Sequence, residues 1–292
     1  MTSRTLLNLF LILITATLVL VIIYRPGIAP ETPLPNLTGI DPQSVDEIHI
    51  KRTGRDDLTL EKRNGHWFLS GSPERPAAEL QARTLAGLAG ESSITRYPAG
   101  ELDLEKIGLV NPAARIRLND TEILHGTTEA LDGNRYVRIG NTVHLINDRY
   151  HRLVLGDSST FLSTKLLPDT AEVTRLDLPT LEITRSADGK WTVNPPVPDT
   201  DAENVTRLVQ AWQNARAVYV SAYPETTTQS QGRLTLHLAG EEAAVVFDII
   251  SRSPELVLAR PAWKVRYHMG GDDAERLLVL PKSATEPVPD GG

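Results

Sequence analysis

The sequence predicts an α+β fold: an N-terminal transmembrane helix followed by two tandem β-hairpin–helix–antiparallel-sheet repeats. Three observations predict it. An uncharged apolar run opens the chain, two stretches 124 positions apart share a hairpin closed by tryptophan, and strand-like runs cluster around one helix per half instead of alternating with helices.

The apolar run, Thr5 to Tyr24, reads TLLNLFLILITATLVLVIIY between Arg4 and Arg25. Twenty residues at about 1.5 Å each reach about 30 Å, the thickness of a bilayer's hydrocarbon core. A cleaved signal peptide has a shorter apolar region, about 7–15 residues, ending at a small-x-small site. Here the exit is Tyr24-Arg25-Pro26-Gly27, and no cysteine follows to carry a lipid. The expectation is a retained anchor over 1–25. Arg4 and the terminal amine precede the span, and beyond it, with Arg4 and Arg25 set aside, 28 basic residues face 37 acidic ones. That layout places the tail in the cytoplasm and the rest outside. Prolines at 26, 30, 33 and 35 make 26–44 a stiff, extended linker.

The first repeat, expected over 45–146, contains LTLEKRNGHWFL from Leu58; the second, over 173–281, contains LEITRSADGKWTV from Leu181. Asn64-Gly65 and Asp188-Gly189 suit the positive φ angles of a two-residue type I′ hairpin turn. Trp67 and Trp191 each follow two residues later. A helix comes next in each half. In the first, Ala78, Ala82, Leu85 and Ala89 share a face and Pro76 suits the first helical position; in the second, Val205, Leu208, Val209, Trp212 and Ala215 form the stripe and Thr200 with Glu203 has capping-box spacing. Tyr97-Pro98 and Tyr223-Pro224 follow at offset 126. Strands are then expected at 116–118, 136–139 and 143–146, and at 234–238, 244–249, 255–258 and 264–268. Between the repeats, 147–172 is a connection with a short helix; 282–292 is a polar Pro/Gly tail expected to be disordered.

The 292 residues carry a formal charge of −7 with no basic block, which argues against nucleic-acid binding. Absence of cysteine excludes disulfides, thiol catalysis and Cys-ligated metals. No phosphate-cradling glycine motif is present, so no cofactor is expected.

Several residues invite chemistry. Gly156-Asp157-Ser158 looks like the nucleophile block of GDS-type esterases, with Asp46 to His49 and Asp148 to His151 as Asp-x-x-His tetrapeptides; both precede the serine, which those enzymes do not allow. Seven histidines lie scattered, with no His-Glu-x-x-His and no i, i+4 pair. Arg115, Arg117, Arg135 and Arg138 either form a small cationic face or sit solvated on a half-buried sheet. Trp67, Trp191 and Trp263 are the candidate ligand platforms; for Trp67 and Trp191 the other reading is a ring buried between hairpin and helix.

The chain resembles the domain of unknown function 4340 family of bacterial membrane-anchored proteins. The matching stretches are Val45 to Ile50, Leu60 to Trp67, Ile107 to Leu118 (I-G-L-x-x-P-x-x-x-I-x-L), Tyr136 to Arg138 and Lys165 to Leu167. The resemblance implies a single-pass inner-membrane protein whose periplasmic ectodomain is an accessory to an ABC-type envelope transport system, and it transfers no catalytic residues. The expectation is a non-enzymatic scaffold held by the bilayer, with an envelope protein as partner. The alternative is a module that binds a glycan, lipid or peptide between the repeats, and a GDS-type hydrolase is a distant third.

Overall fold

The computed structural model describes residues 3–24, 34–71, 73–198, 200–223 and 229–281. The chain divides into two compact units, Met1–Pro35 and Asn36–Gly292. The first holds helix α1, Ser3–Tyr24, whose side chains are described over 6–20 and are exposed on every side. The hydroxyls of Thr15 and Thr17 donate to the carbonyls of Leu11 and Leu13, one turn back on the same helix. Among the described residues no helix is long and apolar enough to cross a membrane. The linker prolines 26, 30 and 33, Pro224 and the tail 282–292 lie outside the described residues.

The second unit is α+β with two antiparallel sheets. Its first half runs β1 (Glu47–Arg52), β2 (Leu58–Arg63), β3 (His66–Leu69), β4 (Arg75–Pro76), α2 (Glu79–Ala86), β5 (Thr95–Pro98), β6 (Ala114–Leu118), β7 (Thr121–Thr128), β8 (Arg135–Ile139) and β9 (Thr142–Ile146). After a short helix α3 (His151–Val154), the second half runs β10 (Val173–Asp177), β11 (Glu182–Arg185), β12 (Trp191–Asn194), α4 (Ala202–Gln213), β13 (Tyr219–Ala222), β14 (Gly232–Leu238), β15 (Val245–Ser251), β16 (Val257–Arg260), β17 (Val265–His268) and α5 (Asp273–Leu278). The first sheet is ordered β4-β3-β2-β1-β6-β7-β8-β9-β5 and the second β12-β11-β10-β14-β15-β16-β17-β13. With β4 set aside, the two orders correspond strand for strand.

Local chemistry explains the elements. Strands β1, β2 and β6 bury alternate residues, Ile48 and Ile50, Leu58 and Leu60, Ile116 and Leu118, so one face meets the core. Helix α4 buries Val205, Leu208, Val209 and Trp212 along one stripe, and the Trp212 indole N–H donates to the Leu277 carbonyl at the end of α5. In the first hairpin Arg63 pairs with His66 across Asn64 and Gly65, at φ 51° and 82°, the two-residue type I′ turn expected.

The second hairpin departs from expectation. Arg185 pairs with Trp191 across a five-residue loop in which only Gly189 has positive φ, because Ser186 closes the loop through backbone bonds with Lys190 and Gly189. The cap of α4 is Asp201 and not Thr200: its carboxylate accepts from the Asn204 N–H. Pro76 is not in a helix; it ends β4, and α2 begins three residues later. Strand β7 was not expected: Gly126 and Thr127 interrupt its apolar alternation. A Cβ at Gly126 would lie 2.5 Å from the Ile107 carbonyl oxygen, so the glycine admits the segment 99–109 onto the outer face of the sheet. Helix α5 was also missed, a six-residue element whose Leu277 and Leu278 are buried. The expected linker 26–44 does not stay extended to its end: Leu37 is buried and its N–H donates to the Glu91 carbonyl.

One apolar core runs through both halves of the second unit. Residues 147–172 carry it across. Tyr150, Val154, Phe161, Leu162, Leu166 and Leu167 are all buried. The backbone binds both ways: Ala78 donates to Phe161 and Ser163 to Pro76 on the first half, while Leu166 donates to Ala215 and Ala217 to Thr164 on the second. The Tyr150 phenol donates to Glu91 at 2.6 Å, and burial helps push its pKa up to about 12. Phe161→Ala is expected to lose about 3–5 kcal/mol, the cost of emptying a phenylalanine site in a packed core, measured by urea unfolding; a loss below 1 kcal/mol would contradict this role.

Candidate functional site

The sequence candidates do not assemble around Ser158. Its hydroxyl accepts from the Arg52 guanidinium at 3.3 Å, and Arg52 also donates to the Gly156 and Asp56 carbonyls. Asp157 pairs with Arg55 at 3.1 Å. Of the two Asp-x-x-His stretches, His49 binds Thr59 and lies 3.7 Å from Asp57, and His151 turns to His125. Among the described residues no hydrogen bond joins Ser158 to a histidine. The Gly-Asp-Ser-Ser stretch is a turn held by arginine.

The cationic face is also dismantled. Arg115 and Arg117 pair with Glu122 and Glu47, and Arg138 donates to the Gly140 carbonyl. Arg135 is buried and holds both carboxylate oxygens of Asp148. This pair sits beside the densest group of titratable side chains. His125 from β7, Asp148 and His151 have one ligand atom each within 4.8 Å of one another, close enough to hold a metal ion. The details point elsewhere. His125 Nε2 and His151 Nδ1 are 3.2 Å apart and the ring centroids 5.5 Å, with the rings tilted by 14°. That separation is one nitrogen–nitrogen contact plus a ring radius on each side, so the two nitrogens face each other and share one proton instead of converging on a third point. The Asp148 oxygens, already engaged by Arg135, complete no open coordination set.

Burial, then the Arg135 charge, holds His125 down at about 3, and the same two influences lower His151. Burial would raise Asp148, but its hydrogen bond and charge contact with Arg135 outweigh that and lower it. Sequence reading found Asp148 and His151 by their spacing and Arg135 only as a member of a cationic face; His125 comes from a separate strand, and nothing local joined it to them.

A second line was missed entirely. Ser221 on β13 lies 2.9 Å from His268 Nε2, and His268 Nδ1 lies 2.9 Å from the Glu255 carboxylate. The order hydroxyl–imidazole–carboxylate is that of a nucleophilic relay. Here, however, the serine occupies the interior of an edge strand, and Tyr219 stacks on the imidazole at 4.1 Å. A nucleophilic serine is typically thrust out by a sharp turn; this one ties β13 to β17.

The three tryptophans separate. Trp67 is buried, 2 % exposed, under the Glu79 carboxylate that accepts its backbone N–H. Trp191 is half-buried beside α4, with Arg185 over its ring at 5.8 Å, and lines a cavity of about 170 Å³ with Val209 and Gln213. Trp263 is half-buried where the halves meet: Arg260 stacks on its ring at 3.3 Å, and Arg75 from β4 donates to its carbonyl at 3.4 Å.

The family described as Domain of unknown function (DUF4340) matches residues 79–233, from α2 to the start of β14. The chain belongs to this family. The match covers just over half of the chain and takes in the I-G-L-x-x-P stretch, where Gly108 at φ 67° and buried Leu109 fold the covering segment onto β7. It also takes in Lys165 to Leu167, whose leucines are buried in the junction between the sheets. These family positions are turn and core positions. No curated protein and no solved structure matches the chain.

Because the folded chain keeps His125 neutral while the unfolded chain protonates it near its ordinary value of about 6.5, acidification loads protons on the unfolded state first. Stability is therefore expected to fall as pH drops from about 6.5 towards about 3, with a limiting slope near 1.4 kcal/mol per pH unit for one such group. Asp148 contributes with its own loss only below about pH 4. Urea midpoints between pH 6.5 and 5 test this: His125→Gln should reduce the slope, and added zinc should leave the midpoint unmoved. An unchanged slope, or a zinc-dependent rise, would overturn the hydrogen-bonded reading.

Proposed function

We propose that this chain is a non-enzymatic, single-pass inner-membrane protein whose body stands in the periplasm as a scaffold. Its partner would be an envelope protein complex of the ABC-type transport class, and its body would be two copies of one hairpin–helix–sheet unit. The observation that carries the anchoring is α1. It runs from Ser3 to Tyr24 and contains the uncharged run Thr5 to Tyr24, with its side chains described over 6–20. Its described side chains are uncharged and, apart from Asn8, Thr15 and Thr17, apolar, and the Thr15 and Thr17 hydroxyls are satisfied within the helix. A helix apolar all round needs lipid or protein around it. The shared strand order of the two sheets supports duplication.

A second reading, capture of a ligand, is supported by Trp191 and Trp263, which are half-buried; Trp67 is no longer a candidate because it is buried.

The test is carbonate extraction of native membranes, followed by protease treatment of spheroplasts. The full chain should stay in the pellet and lose its body to external protease, and deleting 1–25 should release it. Cross-linking at native abundance should then recover a membrane protein complex. Ser158→Ala and Ser221→Ala chains should match wild type against generic esters. Full release by carbonate, or recovery of the chain alone, contradicts the proposal.

A further inference from the structure

The second repeat leaves open an aromatic position that the first repeat closes. In the first sheet β4 lies along β3, the Ala77 N–H donates to the Trp67 carbonyl, and Trp67 is buried. The second sheet has no counterpart of β4, so β12 is its edge, and Trp191, at the place of Trp67 in the repeat, is only half-buried. A cavity of about 170 Å³ lies here. Glu172, Arg185 and Trp191 line it from the sheet side; Thr206, Gln210 and Gln213, spaced four and three residues apart, line it from one face of α4. Arg185 stands 5.8 Å from the Trp191 ring centroid, whereas at Trp263 the Arg260 guanidinium lies at 3.3 Å and covers the ring. Trp191 is the less covered of the two half-buried tryptophans.

The lining is polar without net charge. Arg185, opposite Trp191 in the strand register, pairs with Glu172, so the two charges cancel. The Gln213 amide donates to the Ala171 carbonyl at 3.3 Å and the Thr206 hydroxyl to the Ala202 carbonyl at 2.8 Å, which orients both side chains, while Gln210 is exposed. Val173 and Val209, both buried, add apolar contact. A cancelled ion pair selects neither an anion nor a cation. A hydrocarbon chain would strip water from these polar groups and return no hydrogen bond. The volume falls below the roughly 300–1,000 Å³ of pockets that enclose a drug-sized ligand, so the occupant is about one ring in size.

We propose that this cavity binds one pyranose ring of a neutral glycan, with the ring's C–H face against the Trp191 indole and its hydroxyls toward Gln210, Gln213 and the Glu172–Arg185 pair. A sugar ring joins an apolar face to a rim of hydroxyls that both donate and accept, and an indole beside amides and an ion pair answers both parts. The inference rests on the ligand-capture reading and gives it a place, inside the second repeat instead of between the repeats.

The experiment uses the full chain in a sugar-free detergent, titrated with glucose, galactose, mannose and N-acetylglucosamine, with glycerol and trialanine as contrasts. Tryptophan fluorescence and saturation-transfer NMR are the readouts. At least one sugar should respond saturably, with transfer to its ring protons, and glycerol should not. Trp191→Ala should weaken that response by about ten-fold or more and Gln210→Ala several-fold, while Trp191→Tyr keeps most of it and Trp263→Phe leaves it unchanged. If Trp191→Ala fails to fold, Gln210→Ala, at an exposed helix position, decides. Sugar binding that survives Trp191→Ala but is lost in Trp263→Phe, or a saturable response to trialanine alone, would overturn the site and leave ligand capture standing. Silence from every probe, or equal responses to glycerol and the sugars, would count against both.

Discussion

The body of this protein depends on the burial of its connector. Neither sheet can close its own core while residues 147–172 present Tyr150, Val154, Phe161, Leu162, Leu166 and Leu167 to water. Each such apolar side chain stabilises by about 1.5–3 kcal/mol when fully buried, which offsets a large part of the entropy lost in ordering the connector. Backbone bonds to Ala78 and Pro76 on one side and to Ala215 and Ala217 on the other fix its path. An apparent linker is therefore the keel of one structure, and the two sheets form a single compact unit with it.

That constraint orders the rest. Tyr150 reaches Glu91 at the end of the first helical segment. His151 meets His125, and Asp148 takes Arg135 out of the sheet face where it would otherwise be solvated. The titratable cluster is thus a clasp between connector and first sheet. At the far end, β4 and the turn after β16 meet, where Arg75 donates to the Trp263 carbonyl.

Much of the architecture was legible because it is written locally. Asn64-Gly65 specifies its turn by positive φ, and the stripe from Val205 to Trp212 specifies a buried helix face. What escaped was set at a distance. Strand β7 was hidden because Gly126 answers the Ile107 carbonyl and not its own neighbours. Asp188-Gly189 reads like Asn64-Gly65, but Ser186 binds across the loop and lengthens it. The pairs His125–His151, Ser221–His268 and Arg75–Trp263 join residues 26, 47 and 188 positions apart; no spacing rule finds them. Asp148 to His151 was visible as a motif, yet its meaning, a clasp and not a relay to serine, lies in Arg135.

The central claim is that connector burial makes the two sheets one cooperative body. Native-state hydrogen exchange across a denaturant series measures this directly. Amides of β7 in the first sheet and β15 in the second should open with the same free energy and the same denaturant dependence, together with those of Leu166 and Ala217 at the junction. Separate opening of one sheet at markedly lower free energy, with the other still protected, would contradict the account.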